Sequence, residues 1–151
     1  MWMVLSPKDV LRALSSQELA ALKSPQIGGP AEQDDLLAEM IDDVVVTIRE
    51  AVANNRANTL GPDGTIPQSL RREALALLRM DLITRCDIRY AETDPRPAAA
   101  KAATAKLADI AAGKWQILSA TQVVATPPSQ SPEMIAPDPA YDLNPRGIYN
   151  Q

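Results

Sequence analysis

An all-α fold, a small bundle of four to five helices followed by an extended proline-rich arm, is what this sequence predicts, and three observations lead there. Aromatic residues make up only 3% of the 151 residues and Phe is absent, so the core has to be aliphatic, a composition that favours packed helices over sheets. Apolar residues recur at spacings of three and four through most of the first two-thirds of the chain. The prolines are unevenly placed: of 13, Pro127, Pro128, Pro132, Pro137, Pro139 and Pro145 all fall in the final stretch. These observations divide the chain into a helical body, residues 1–118, and an arm, residues 119–151.

The elements follow in order. Ser6-Pro7-Lys8-Asp9 reads as a helix start, with Ser6 as cap and Pro7 in the first helical position, and Val10, Leu11 and Leu14 follow at helical spacing. Ser15-Ser16-Gln17-Glu18 repeats that signal and opens a second short helix with Leu19 and Leu22 facing inward. Ser24 to Pro30 is a loop. A long helix runs from about Ala31 to Asn54, with Leu37, Ile41, Val44, Ile48 and Val52 on its inner stripe and Glu32, Asp34 and Asp35 in its first turns, where the helix dipole favours acids. Gly61-Pro62-Asp63-Gly64 is a turn and lacks the ending of a phosphate loop.

Pro67 begins another long helix, expected to reach Tyr90, with Leu75, Leu78, Leu82, Cys86 and Tyr90 on one face. Asp94-Pro95 caps and starts an Ala-rich helix whose inward residues are Ala103, Leu107 and Ile110, and Gly113 is the expected left-handed stop. Lys114 to Leu118 alternates and reads as a short extended segment.

Function classes narrow by subtraction. The net charge is −4, which disfavours a protein that coats nucleic acid. Histidine is absent and Cys86 is the sole cysteine, so Ser-His and Cys-His nucleophile systems, most metal sites and an internal disulfide are excluded. No cofactor and no enzymatic activity are expected. The start of the chain lacks the basic region of a signal peptide, and no apolar stretch approaches a membrane span, so a soluble protein is expected.

Glu39, Asp42 and Asp43 share one turn of the long helix and read as a solvated polar face rather than a cation site. Arg79 falls between Leu75 and Ile83, inside an apolar stripe. Buried, it needs a carboxylate, for which Asp42 or Asp43 is the natural partner; at the helix edge, it snorkels to water. Asp81, Arg85 and Arg89 form a charged line at a spacing of four. Trp2 and Trp115 either anchor a partner or close one end of the core, with packing favoured for Trp115. Trp115 and Ile117, with Met134, Ile135, Tyr141, Leu143, Ile148 and Tyr149 scattered through the arm, are the candidate partner contacts.

Three stretches of the body resemble the head–tail adaptor (head-completion) proteins of Mu-like and related long-tailed phages. Leu5 to Leu11 with Glu18 to Leu22 is similar to the paired short helices of that family, Leu70 to Tyr90 to its central helix, and Leu107 to Lys114 to its closing helix and glycine stop. Where the family carries a Gly-Arg-Tyr-Pro-like stretch, this chain has Asn54 to Leu60, and the arm has no counterpart in the likeness. The resemblance implies a structural virion protein of the phage neck, assembled in the host cytoplasm. It would form a ring of about twelve copies between the portal and the tail terminator or stopper, with DNA passing through unread and no membrane involved. A small cytoplasmic helical module that binds one partner through its proline-rich arm is the alternative.

Overall fold

The computed structural model describes residues 1–25 and 27–117. Five α-helices and a two-stranded ladder follow in the order β1 (Trp2–Val4), α1 (Pro7–Ala13), α2 (Ser16–Leu22), α3 (Pro30–Asn54), β2 (Thr65–Pro67), α4 (Arg71–Arg85) and α5 (Pro95–Ala111), with a 3₁₀ turn over Gln68–Leu70. The all-α class holds, and the ladder is an addition to it.

Local chemistry accounts for the helix starts. Ser6 Oγ accepts from the Asp9 N–H at 3.3 Å and donates to Asp9 Oδ2 at 2.6 Å, with Pro7 in the first turn. Ser15 and Glu18 form a reciprocal capping box, the Ser15 N–H donating to Glu18 Oε2 at 2.6 Å. Asp94 accepts from the Arg96 N–H at 2.9 Å and Pro95 follows it.

The core is aliphatic, as composition demands. α3 contributes Met40, Ile48 and Val52, α4 contributes Leu78 and Leu82, and α5 contributes Leu107 and Ile110, all buried. Each large side chain withdrawn from water contributes roughly 1.5–3 kcal/mol. α5 meets both α3 and α4 with Ala100 and Ala103 inward, and these small residues allow a close approach.

Three expectations are corrected. The helix expected from Pro67 to Tyr90 is shorter at both ends. At its start, Thr65–Pro67 is strand, because the chain there pairs antiparallel with Trp2–Val4, Met3 opposite Ile66. The Gln68 N–H donates to the Met1 carbonyl at 3.0 Å, so by alternation Pro67 stands at a position that needs no donor. At its end, α4 stops at Arg85 because Asp87 takes a left-handed conformation, φ 47°. The Ile88 N–H then donates to the Ile83 carbonyl at 2.9 Å and the Asp87 N–H to that of Thr84 at 3.4 Å, a Schellman stop sealed by buried Ile83 and Ile88. Tyr90, expected inward, lies beyond the helix and is exposed. α5 ends by the same motif around Gly113, φ 80°, as expected. Among the described residues, Lys114 to Ile117 form no strand.

The first strand is held by a turn built on Arg49 of α3. Its guanidinium donates to the carbonyls of Pro62 at 2.7 Å and Thr65 at 3.0 Å and to Asp63 Oδ1 at 3.0 Å. It also lies over the Trp2 ring, 5.9 Å from the centroid. Trp2 packs directly on Gly61, where a Cβ would stand 2.3 Å from Trp2 Cδ2. Gly61→Ala is therefore expected to destabilise the protein by about 1–3 kcal/mol, measured by chemical denaturation.

Candidate functional site

The most polar buried place in the body is built on Glu18. Its position is local in origin, since the third residue of α2 is where a capping glutamate belongs. α2 packs on α4, which takes that carboxylate out of solvent altogether. Arg79 of α4 donates to it through Nε, 3.0 Å from Oε1, and Nη2, 3.1 Å from Oε2. Arg96, in the first turn of α5, adds Nη1 at 3.1 Å from Oε1 and closes Nε and Nη2 onto Asp94. Burial pushes the Glu18 carboxyl up, but the donors from Arg79, Ser15 and Arg96 outweigh it and hold it below the ordinary glutamate value of 4.5. The Arg96 guanidinium holds Asp94 down to about 2. Both oxygens of Glu18 are fully engaged, so its chemistry is that of a structural anion joining three helices.

Arg79 and Arg96 also form one wall of a cleft of about 580 Å³ between α1, α4 and the start of α5. Arg71 and Arg72 also line it, together with the apolar Leu75, Ala76 and Ala99. Arg71 is paired with Asp9 at 3.1 Å. Arg72 is exposed and has no partner among the described residues. Beside it, Lys106 of α5 donates to Glu73 Oε1 at 2.6 Å, while Glu73 Oε2 is buried without a partner.

Comparison with protein-family models, curated proteins and solved structures finds no match for the chain.

The ion pair expected between Arg79 and Asp42 or Asp43 does not form. Arg79 lies within the apolar stripe, half-buried and paired as one reading required, but its carboxylate is Glu18 from α2. The link from α3 to α4 is made by Arg85 instead, which reaches Glu39 Oε1 at 2.9 Å, Asp43 Oδ2 at 2.8 Å and Asp81 Oδ2 at 2.9 Å. Asp42 stays exposed without a partner among the described residues. A guanidinium thus occupies two of the three acids considered for a cation, and no group of three His, Cys, Asp or Glu suited to a metal is found among the described residues. Arg89 lies beyond the helix end. Burial, and then the charge of Asp81, push the Cys86 thiol up.

Trp115 does not close the core. The residue is 58% exposed, while its backbone carbonyl is held: Asn55 Nδ2 donates to it at 3.2 Å. Two residues on, the Ile117 N–H donates to Asn58 Oδ1 at 2.8 Å, and the Ile117 side chain packs against the core. Met134, Ile135, Tyr141, Leu143, Ile148 and Tyr149 lie outside the described residues. Sequence reasoning missed Glu18, Arg96 and the cleft. Glu18 was legible only as a cap, and nothing along the chain announces that two arginines more than sixty residues away converge on it.

Removing one partner of a buried charge costs more than removing a surface pair. Arg79→Ala is expected to lower stability by about 2 kcal/mol, with Arg96 still neutralising part of the Glu18 charge, and Arg71→Ala by less than about 1 kcal/mol. Equal, small effects in urea titrations would place Arg79 outside the support of the fold. Because the folded Glu18, Asp94 and Asp9 carboxyls are lowered, the stability they contribute is present above the ordinary carboxylate range. It is lost as pH falls from about 4.5 towards 2. Glu18→Gln should flatten that acid limb in a series of melting curves.

Proposed function

We propose that this chain is a structural adaptor of a phage neck, a subunit of a ring between the portal and the tail terminator or stopper that completes the head and lines the DNA passage. The resemblance of Leu5–Leu11, Leu70–Tyr90 and Leu107–Lys114 to the head-completion family points to it, and Trp115 is the observation that carries it furthest. A large aromatic residue, 58% exposed, stands on a backbone held by Asn55, two residues before the packed Ile117 and just ahead of the proline-rich arm. An exposed tryptophan held on a fixed backbone loses little freedom on binding, which is what an interface anchor requires. It stands at the root of the arm, whose sparse apolar residues suit ordering against a neighbour or the portal. A ring of subunits each carrying a charge of −4 can surround DNA without gripping its phosphates, because like charges repel.

The role is tested by light scattering on the protein mixed with the portal encoded beside it, each component alone serving as control. About twelve copies per portal assembly are expected; a free monomer beside a competent portal counts against the role. Trp115→Ala should reduce portal occupancy while shifting folding stability by no more than about 0.5 kcal/mol. A matching loss of fold would make Trp115 a packing residue instead.

A further inference from the structure

We propose that the outer face of α3 in one copy seats on the arginine cleft of the next, a contact that rests on the adaptor reading and specifies how its ring closes. α3 is amphipathic in a particular way. Leu37, Met40, Val44, Ile48 and Val52 face the core, and the opposite side presents Asp35, Asp42 and Glu50 with Val46, which is 46% exposed. Glu39 and Asp43, nearby, are already spent on Arg85, whereas Asp35, Asp42 and Glu50 have no partner among the described residues. The cleft is the complement. Among the described residues Arg72 has no partner, and Arg79 commits Nε and Nη2 to Glu18, leaving Nη1 without a hydrogen bond.

The spacing agrees as well as the sign. Arg72 and Arg79 are seven residues apart on α4, about 10.5 Å along the axis and on the same side of it. Asp35 and Asp42 have the same separation on α3, so the two helices laid antiparallel bring Asp42 to Arg72 and Asp35 to Arg79 at once. Leu75 and Ala76, between the arginines, give the contact an apolar floor.

Within one copy, no ion pair among the described residues joins these two surfaces. A contact that uses two different patches is heterologous: every copy offers both, and the chain of contacts closes into a ring when the rotation allows. Complementary charge also sets the register and speeds encounter.

Charge reversal tests this with the full chain, using Asp42→Arg and Arg72→Glu, two exposed positions without partners among the described residues. Circular dichroism verifies the fold of each, and sedimentation velocity reads self-association at low and high salt. Wild type is expected to self-associate at low salt and to weaken as salt rises. Each variant alone is expected to lose about tenfold or more in self-association. An equimolar mixture of the two is expected to recover it, because the reversed charges then meet each other and the unreversed ones still pair. A variant that associates as wild type does, a mixture no better than its components, or a wild type monomeric at low salt each overturns the contact. Portal occupancy is scored separately: a chain that loads the portal without charge-dependent self-association keeps the adaptor role and loses this interface.

Discussion

A carboxylate with no access to water, held by two arginines, is the constraint around which the body is arranged. Leaving Glu18 charged and alone among aliphatic side chains would cost several kcal/mol, so α2 can dock on α4 only where Arg79 meets it. α5 can start only where Arg96 reaches the same carboxylate, at Oε1. The Asp94 cap ties Arg96 from behind and is itself the start signal of α5. One buried anion thus sets the positions of three helices, and apolar packing, which is not directional, fills in around it. Such a network adds less to stability than its bonds suggest, and its larger effect is on which arrangement is allowed.

The remaining ionic groups divide by location. Arg85 bridges α3 and α4 at the surface through Glu39, Asp43 and Asp81, and Arg49 holds the turn that supports β1. Both arginines are consumed by the fold. Arg72, Asp35, Asp42 and Glu50 are not, and with Trp115 they are among the features that the described residues leave available. Unspent charge of opposite sign on separate elements is the surface on which the proposed contact between copies rests.

Much of the fold was legible along the chain, because helix signals act over three to five residues. Ser6 and Ser15 with their acids, Asp94-Pro95, Gly113 and the aliphatic periodicities of α3 and α4 each follow from local hydrogen bonding and from which side of a helix avoids water. The stop of α4 was not legible, since Asp87 rather than glycine takes the left-handed position, a conformation that costs a β-carbon-bearing residue about 1 kcal/mol. Burial of Ile88 against Ile83 offsets it. The ladder of Trp2–Val4 with Thr65–Pro67 was also hidden, because three residues carry too short an alternation to read and the pairing spans some sixty positions.

By itself, then, the sequence determined the helical class, the aliphatic core, most helix ends and the boundary where prolines replace periodicity, all consequences of near-neighbour chemistry and composition. Tertiary structure alone decided which carboxylate Arg79 would take. Sequence position pointed to Asp42 or Asp43 on the preceding helix; the crossing of α2 over α4 instead places Glu18 at 3.0 Å from Arg79 and leaves Asp42 in solvent. The same packing gathers Arg71, Arg72, Arg79 and Arg96 around one cleft and turns the Trp115 side chain outward. Those outcomes depend on distances between segments far apart in the chain, and only the folded arrangement of the helices sets such distances.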